Sequence, residues 1–347
     1  MQSRKIQYRR HLEDKERTVR RVLEEIDCSS WLGIIPSPIS GGFRNRAKFR
    51  IFPGENGTVI SGTDPIGGNV PFELSLWCLP EWGRGVVKNA AAFINDQRRD
   101  YPVDGFEIQC THGQPRAHIG LSVRKDRPLP YGAFARKMME EVPGLTGVAV
   151  PSQRLEAGEV FLEHLVKNQK FYAHYRAFFQ SNLHLTEELV NKVVFEAANI
   201  PFDAVFDLYS GVGLMGLSAA GCGTPVTGIE SDRKAVESAR MNARLLGSES
   251  ARFLCMRAEK ATAGLCIRHE SLVIINPPRS GIPDAVVRAA AEKKPVFLIL
   301  VSCFLETHAR DLRLWRGKGY AVRSFHALDM FPFTRFLETV TLMELAA

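Results

Sequence analysis

A cysteine and a glutamate near the carboxyl end of the chain have the residue types of a nucleophile and a base. Cys303 ends a run of apolar residues, and a thiol at the carboxyl end of a parallel strand opens onto the crevice where such sheets bind ligands. Glu338 directly precedes another apolar segment, where an unpaired carboxylate is costly to bury. Each has a structural alternative, because free cysteines commonly pack as small hydrophobic residues and Glu338 could form an ion pair with Arg335 or Arg279.

The elements around these two residues have the pattern of a doubly wound α/β domain. Short apolar runs of the kind buried in parallel sheets alternate with a helical segment whose apolar residues recur on one face, over 233–246. The predicted strands span residues 204–208, 225–229, 272–275 and 296–301. Their carboxyl ends would meet at one edge of the sheet, which places Cys303 at the ligand-binding crevice.

A glycine-rich loop follows the first of these strands. Gly211, Gly213 and Gly216 allow a tight turn and a close backbone approach to a ligand at the start of a helix. This spacing alone would also fit a dinucleotide enzyme. Asp207, placed to meet a cationic group, favours S-adenosylmethionine, whereas Glu230 at the end of the second strand could bind ribose hydroxyls in either class.

The third predicted strand ends in Asn276-Pro-Pro-Arg279. Asparagine-Pro-Pro followed by an aromatic residue is typical of enzymes that methylate exocyclic amines, but Arg279 stands where the ring should be. Methylation at a pyrimidine carbon would instead explain Cys303. Because uracil C5 is a poor nucleophile, a thiolate must first add to C6, and a base such as Glu338 must later remove the C5 proton.

The first half of the chain has a different pattern. A helix is predicted over 8–26, with an apolar stripe and with basic residues, Lys15 among them, mostly on its other faces. Short strands follow from residue 40 to about 165. Within 43–51 the residues alternate, so that four cations share one strand face: Arg44, Arg46, Lys48 and Arg50. We interpret this face as a contact for a nucleic-acid backbone, although cations also protect exposed sheet edges.

Composition supports these interpretations and excludes others. The chain has 347 residues, 45% of them hydrophobic, and a net charge of +7, which favours a polyanionic partner. Seven scattered cysteines without a Cys-x-x-Cys pair argue against a disulfide framework and a metal site. No stretch predicts a membrane span or a signal peptide, so we expect a cytoplasmic protein, and the sequence gives no indication of its oligomeric state.

These motifs together resemble the S-adenosylmethionine-dependent RNA uracil-5-methyltransferases, most of all the RlmC-type branch that modifies 23S rRNA. The resemblance implies a Rossmann-like class I methyltransferase domain preceded by a smaller α+β RNA-recognition domain. We expect a basic helical segment at 1–38, the RNA-recognition domain at 39–170 and the methyltransferase domain at 171–347. The implied reaction is methyl transfer to C5 of a uridine in RNA.

The resemblance also implies roles for single residues. Gln180, Tyr209 and Asn276 match positions that contact the cofactor, together with Asp207, Gly211, Gly213 and Glu230. Cys303 and Glu338 match the nucleophile and the base. Arg44, Arg46, Lys48, Arg50 and Arg279 are expected to contact RNA. Many members hold an iron–sulfur cluster on four cysteines. In this chain only Cys78 matches one of those four positions, so we expect no cluster and no metal.

Three alternatives stay open at this stage. Cytosine-5-methyltransferases share the thiol chemistry, but they usually add a second cysteine where this chain has Asn276-Pro-Pro-Arg279. A tRNA is the alternative substrate to 23S rRNA. A catalytically silent RNA-binding protein is the third, because Phe304 and Phe336 stand where the family has polar residues. The presence of both Cys303 and Glu338 argues against the silent protein.

Overall fold

The computed structural model describes residues 2–26, 28, 31–54, 57–63, 68–124, 129–221 and 223–346. The chain divides into two units: one comprises Met1–Pro38, Arg176–Phe179 and His184–Ala347, and the other Ile39–Tyr175 and Gln180–Leu183. Residues 1–38, expected as a separate segment, therefore belong to the unit that contains the glycine-rich loop. Among the described residues no helix is long and apolar enough to cross a membrane.

The unit of residues 39–175 contains a mixed sheet covered by helices. Its elements are β2 (Arg46–Gly54), β3 (Gly57–Thr63), β4 (Asn69–Val70), α2 (Phe72–Cys78), α3 (Glu81–Gln97), β5 (Gly105–Cys110), β6 (Ala117–Ser122), α4 (Tyr131–Glu141), β7 (Leu145–Val150), β8 (Leu155–Gly158), β9 (Phe161–Val166) and β10 (Gln169–His174). They follow α1 (Gln2–Glu25) and β1 (Ile34–Ile35). In the described part of the chain seven strands pair in the order β4-β3-β2-β5-β6-β7-β8, and β9 and β10 form a hairpin.

The other unit has the alternating pattern that the sequence predicted. Its further elements are α5 (Thr186–Ala198), β11 (Ala204–Leu208), α6 (Leu214–Ala220), β12 (Val226–Glu230), α7 (Arg233–Leu245), β13 (Arg252–Cys255), α8 (Ala258–Ala261), β14 (Ser271–Ile275), α9 (Asp284–Ala291), β15 (Phe297–Ser302), α10 (Leu305–Arg316), β16 (Tyr320–Leu328) and β17 (Glu338–Leu345). The four predicted strands correspond to β11, β12, β14 and β15. The side chains of β11, β14 and β15 are almost entirely buried, and those of β12 mostly so, because helices cover both faces of a doubly wound sheet.

The sheet of this unit is mostly parallel, with one antiparallel insertion. Its described strands pair in the order β1-β16-β17-β15-β14-β11-β12-β13. Strand β17 lies between β15 and β16 and is antiparallel to both. Its amino end therefore lies at the same edge of the sheet as the carboxyl end of β15.

Helix α1 packs on this sheet through the predicted apolar stripe. Val19, Val22, Leu23 and Ile26 are buried in the same core as residues of β11, β14 and β15. The structure differs from the sequence interpretation at Lys15, which was assigned to the charged faces of this helix. Lys15 is 7% exposed, because it occupies the stripe position one turn before Val19.

Candidate active site

The glycine-rich loop connects β11 to α6 and is shaped around a buried carboxylate. Asp207 is fully buried, and its Oδ2 accepts a hydrogen bond from the Gly216 N–H at 2.9 Å. A Cβ atom added at Gly216 would lie 2.8 Å from this oxygen, so the position requires glycine. Gly211 and Gly213 adopt positive φ angles of 54° and 82°, which are strained for other residues.

The carboxylate of Glu230 ends β12 beside this loop. Its Oε1 accepts from the backbone N–H groups of Ser231 and Asp232, and its Oε2 accepts from the Gly211 N–H at 3.1 Å. The side chain is only partly buried, and Oε2 retains capacity for another donor. Glu230 is thus fixed in orientation with one oxygen able to accept from a ligand.

These groups fit the cofactor that the sequence indicates. Asp207 Oδ1 is buried without a hydrogen-bond partner, and burial raises the pKa of this carboxyl to about 7. A cationic donor would give Oδ1 a hydrogen-bond partner and would stabilise the ionised carboxylate. Nothing lies within 4 Å of a Cβ placed on Gly211, so the loop leaves room beside Glu230. Tyr209, at a positive φ of 63°, and Asn276, whose N–H donates to Leu208 O at 3.2 Å, lie on the same strand ends.

Strand register brings Cys303 and Glu338 together. Ser302 of β15 pairs with Thr339 of β17 in the antiparallel ladder. Cys303 follows Ser302 and Glu338 precedes Thr339, so both residues adjoin the last pair of this ladder, and they are close enough for the charge of Glu338 to raise the pKa of the Cys303 thiol. Cys303 also follows the strand that pairs with β14, the strand that leads into Asn276.

Glu338 is a buried carboxyl group that has no ion-pair partner among the described residues. It is 3% exposed, and within the described ranges no arginine or lysine nitrogen lies within 4.0 Å of its oxygens. The structural alternative of an ion pair with Arg335 or Arg279 is therefore not formed. Burial raises the pKa of Glu338 to about 8, which brings this group into the range that suits a general base near neutral pH.

Cys303 is half-buried, and its thiol has an acidic neighbour, Glu338, and a basic neighbour, Arg279. Burial and the neighbouring Glu338 raise the pKa of the thiol to about 12, whereas the nearby Arg279 guanidinium opposes that rise. Arg279 is exposed and held over the Phe336 ring at 4.0 Å from its centroid. The thiol is thus mainly protonated before a substrate binds, and Arg279 is the group that favours its ionised form.

The two phenylalanines that replace polar residues of the resembled family form one wall of the site. Phe304 and Phe336 have ring centroids 5.7 Å apart, and the Arg335 guanidinium lies over both rings, at 5.0 Å and 5.7 Å. Arg279 also lies over the Phe336 ring, so two aromatic rings and two guanidinium groups are in contact beside Cys303. Such surfaces can stack against a nucleobase and attract phosphates.

The predicted RNA-contacting strand face is less uniform than its sequence suggested. Strand β2 begins at Arg46, whereas Arg44 lies before it in an isolated bridge with Asn182. Arg46 forms an ion pair with Glu107 of the neighbouring β5, so an anion already lies across part of this face. Lys48 and Arg50 are exposed, and Arg50 donates to Asn69 Oδ1 at 3.2 Å.

Gln180 lies in the same unit as this strand. It is buried, and its backbone carbonyl accepts from Asn45 Nδ2 at 3.0 Å. Its contact with the cofactor stays a prediction.

Sequence reasoning missed three residues of α1 that contact the segment before Glu338. Tyr8 and Lys15 hydrogen-bond to Asp329, and a ring nitrogen of His11 donates to Thr334 O at 3.0 Å. The available signal was spacing, since positions 8, 11 and 15 continue the apolar stripe of the helix toward its amino end. Polar residues on a buried stripe indicate specific partners.

The part of the chain that the structure describes contains no group of three or more His, Cys, Asp or Glu side chains that could hold a metal ion. Cys78 is half-buried at the end of α2, where burial raises its pKa while Arg44 and Arg84 oppose the rise.

Comparison with solved structures defines the class of fold. The structure of a Pyrococcus abyssi tRNA (uracil-54, C5)-methyltransferase in complex with S-adenosyl-L-homocysteine matches 97% of this chain and 83% of its own, with a TM-score of 0.75 and 22% sequence identity. The chain therefore has the α/β fold of an S-adenosylmethionine-dependent methyltransferase, as its sequence predicted.

Comparison of sequences gives the relatives. An uncharacterized RNA methyltransferase of Caldanaerobacter subterraneus is 35% identical over 60% of this chain and 49% of its own length. The 23S rRNA (uracil(747)-C(5))-methyltransferase RlmC of Xenorhabdus nematophila is 26% identical over 97% of this chain and 94% of its own. The chain thus spans about half the length of the first relative and nearly all of the second. No family model matches.

The predicted resemblance is confirmed: the chain is a homologue of RNA methyltransferases, some of them named as RlmC-type uracil-5-methyltransferases of 23S rRNA.

Proposed function

We propose that this protein transfers a methyl group from S-adenosylmethionine to C5 of a uridine in 23S rRNA. The observation that carries the proposal is the register of β15 and β17, which brings Cys303 and Glu338 close together at the same end of the ladder. This is the pair that carbon methylation of uracil needs and that amine methylation does not. Two enzymes named as 23S rRNA uracil-5-methyltransferases align with 97% and 95% of this chain, which favours 23S rRNA over tRNA.

In the proposed reaction Cys303 is the nucleophile. The thiol gives its proton to solvent water, and the resulting thiolate forms a bond to uracil C6 while the π electron pair of the C5–C6 double bond moves to C5 and the C4 carbonyl. Arg279 promotes this step because its positive charge favours the thiolate. S-adenosylmethionine, when bound, supplies an electrophilic methyl group to C5.

Glu338 completes the reaction as the base. Its carboxylate accepts the proton from C5, the electron pair of that C–H bond restores the C5–C6 double bond, and the bond between C6 and Cys303 breaks to release the thiolate. The aromatic rings of Phe304 and Phe336 and the guanidinium groups of Arg335 and Arg279 are suited to hold the target base.

The same proposal assigns the remaining residues. Asp207 and Glu230 would bind the charged and ribose parts of the cofactor, with Gly211 and Gly213 allowing its approach and Gln180, Tyr209 and Asn276 lining its site. Lys48 and Arg50 would contact RNA phosphates, together with Arg44 and Arg46.

Nucleoside mass spectrometry of ribosomal and transfer RNA tests the proposal. Cells that lack the protein should lose 5-methyluridine from one position of 23S rRNA. Wild-type protein should restore it, as should Cys266→Ala, a matched control at an exposed cysteine. Cys303→Ala should not restore it, and Glu338→Gln should accumulate a covalent adduct with RNA, because the C5 proton is retained. Unchanged 5-methyluridine in every strain would overturn the proposal.

A further inference from the structure

Lys15 of α1 is a buried cation with every donor used. Its Nζ donates to Asp329 Oδ1 at 2.5 Å, to Phe336 O at 2.7 Å and to Phe331 O at 3.2 Å, which matches the three N–H bonds of an ammonium group. Asp329 is itself fully buried, and its other oxygen accepts from Tyr8 OH at 2.7 Å. Two helix residues therefore satisfy both oxygens of this carboxylate.

These contacts fix the base loop, which we define as residues 329–337, between the end of β16 and the start of β17. Two of the three acceptors of Lys15 are backbone carbonyls in this loop, and Phe336 lies two residues before Glu338. His11 holds a third loop carbonyl, that of Thr334, at 3.0 Å. Helix α1 thus supplies the loop with hydrogen bonds that the strand ladder does not provide.

The loop also carries the side chains that line the site beside Cys303. Phe336 is the ring on which Arg279 rests, and Arg335 lies over Phe304 and Phe336. A displacement of the Phe336 carbonyl would therefore move both Glu338 and the Phe336 ring, against which the Arg279 guanidinium packs. Small displacements of this kind are costly for a reaction that depends on alignment.

We propose that Lys15 is a positioning residue, through which α1 holds the base loop so that Glu338 and Arg279 face Cys303. This inference rests on the proposed function and extends it to a helix distant in sequence. A purely structural role would predict another result: loss of Lys15 would lower stability and slow every step by the same factor.

Two variants separate positioning from stability. Lys15→Met leaves Asp329 buried without its cation, and we expect it to lower the melting temperature. In the double variant Lys15→Met, Asp329→Leu both charges are removed, which proteins commonly tolerate, so we expect its melting temperature to recover. The carbonyl of Phe336 stays unanchored in both. Arg17→Met is the matched control, because Arg17 is an exposed cation of the same helix that pairs with Asp14.

The measurement is a single turnover on a 23S rRNA transcript that carries tritium at uridine C5. Methyl incorporation reports the transfer step, tritium release reports proton removal, and denaturing gels report the covalent adduct. In the double variant we expect release to slow relative to methyl transfer by roughly tenfold to a hundredfold. The adduct should accumulate, as it should in Glu338→Gln, and Arg17→Met should behave as wild type.

The outcomes distinguish this inference from the function on which it rests. If wild-type protein methylates the transcript and the double variant has an unchanged ratio of release to transfer, the positioning role is wrong. If wild-type protein methylates no RNA, the proposed function fails instead. Hydrogen–deuterium exchange of residues 330–337 then tests the role of Lys15 directly, and equal protection in wild type and double variant would overturn it.

Discussion

At the level of single residues, the buried carboxyl group of Glu338 destabilises the fold when it is ionised, but it suits the proposed role of a base. The sequence indicated the conflict, because a carboxylate at the start of an apolar strand is unfavourable without a partner. The described residues provide no ion-pair partner, and the carboxyl group is 3% exposed. What the sequence could not indicate was Arg279 beside Cys303, because that contact joins two strand ends through tertiary packing.

The raised pKa of Glu338 predicts how its replacement changes stability with pH. Between the ordinary pKa of 4.5 and the folded value of about 8, the folded protein keeps a proton that the unfolded chain has lost. Stability is therefore lost as pH rises through this range, by about 5 kcal/mol at most. Glu338→Gln removes this loss. Its melting temperature should exceed that of wild type by a margin that grows from pH 5 to pH 9.

Glu196→Gln is the control for this measurement. Burial tends to raise the pKa of Glu196, but its hydrogen bond with His326 and the positive charges nearby lower it overall, so the charged form stabilises the fold. Its replacement should destabilise the protein above pH 5. A margin for Glu338→Gln that stays constant with pH would contradict the raised pKa.

At the level of elements, the sequence predicted the parallel strands and an apolar strand after Glu338, but not the antiparallel position of that strand between β15 and β16. Apolar runs identify β11, β12, β14 and β15 because each is buried on both faces. Periodicity says nothing about neighbours, so the position of β17 between β15 and β16 could not be read from it. That position sets the register of Cys303 and Glu338. Lys15 was misassigned for a related reason: its charge outweighed its place on the apolar stripe.

Gly216 allows a prediction about the cofactor loop. A methyl group in Gly216→Ala would press on Asp207 at 2.8 to 3.2 Å, and the atoms it meets belong to a short buried side chain that has no room to move. The loop must shift, so affinity for S-adenosylhomocysteine should fall about tenfold or more if Asp207 lies in the cofactor site. Isothermal titration calorimetry measures this.

Gly85→Ala is the matched control for the loop variant. Gly85 is an exposed residue of α3, with nothing within 4 Å of an added Cβ. Alanine there should leave affinity unchanged and slightly increase stability, because glycine is unfavourable inside helices. Normal binding by Gly216→Ala would place the cofactor elsewhere.

At the level of the whole molecule, the two structural units do not follow the domain boundaries that the sequence pattern suggests. The change of pattern near residue 170 was visible in the sequence. However, residues 176–183 alternate between the two units, and α1 belongs to the unit of β11–β17 although 39–175 intervene. Such assignments follow from contacts between segments distant in sequence, which a local pattern does not encode. The net charge of +7 also does not say which cations are available to a partner, because Arg46 already forms an ion pair with Glu107.

The salt dependence of RNA binding tests which cations of the β2 face contact phosphates. Each phosphate contact contributes close to one unit to the slope of log affinity against log salt concentration. Lys48 and Arg50 are exposed, so the double variant Lys48→Ala, Arg50→Ala should reduce that slope by about two. Arg46→Ala should reduce it less, because Glu107 neutralises this guanidinium. Filter binding of a 23S rRNA transcript from about 50 to 200 mM salt covers the range in which the slopes separate. Equal slopes for wild type and the double variant would remove β2 from the RNA-binding surface and assign the excess positive charge to another face.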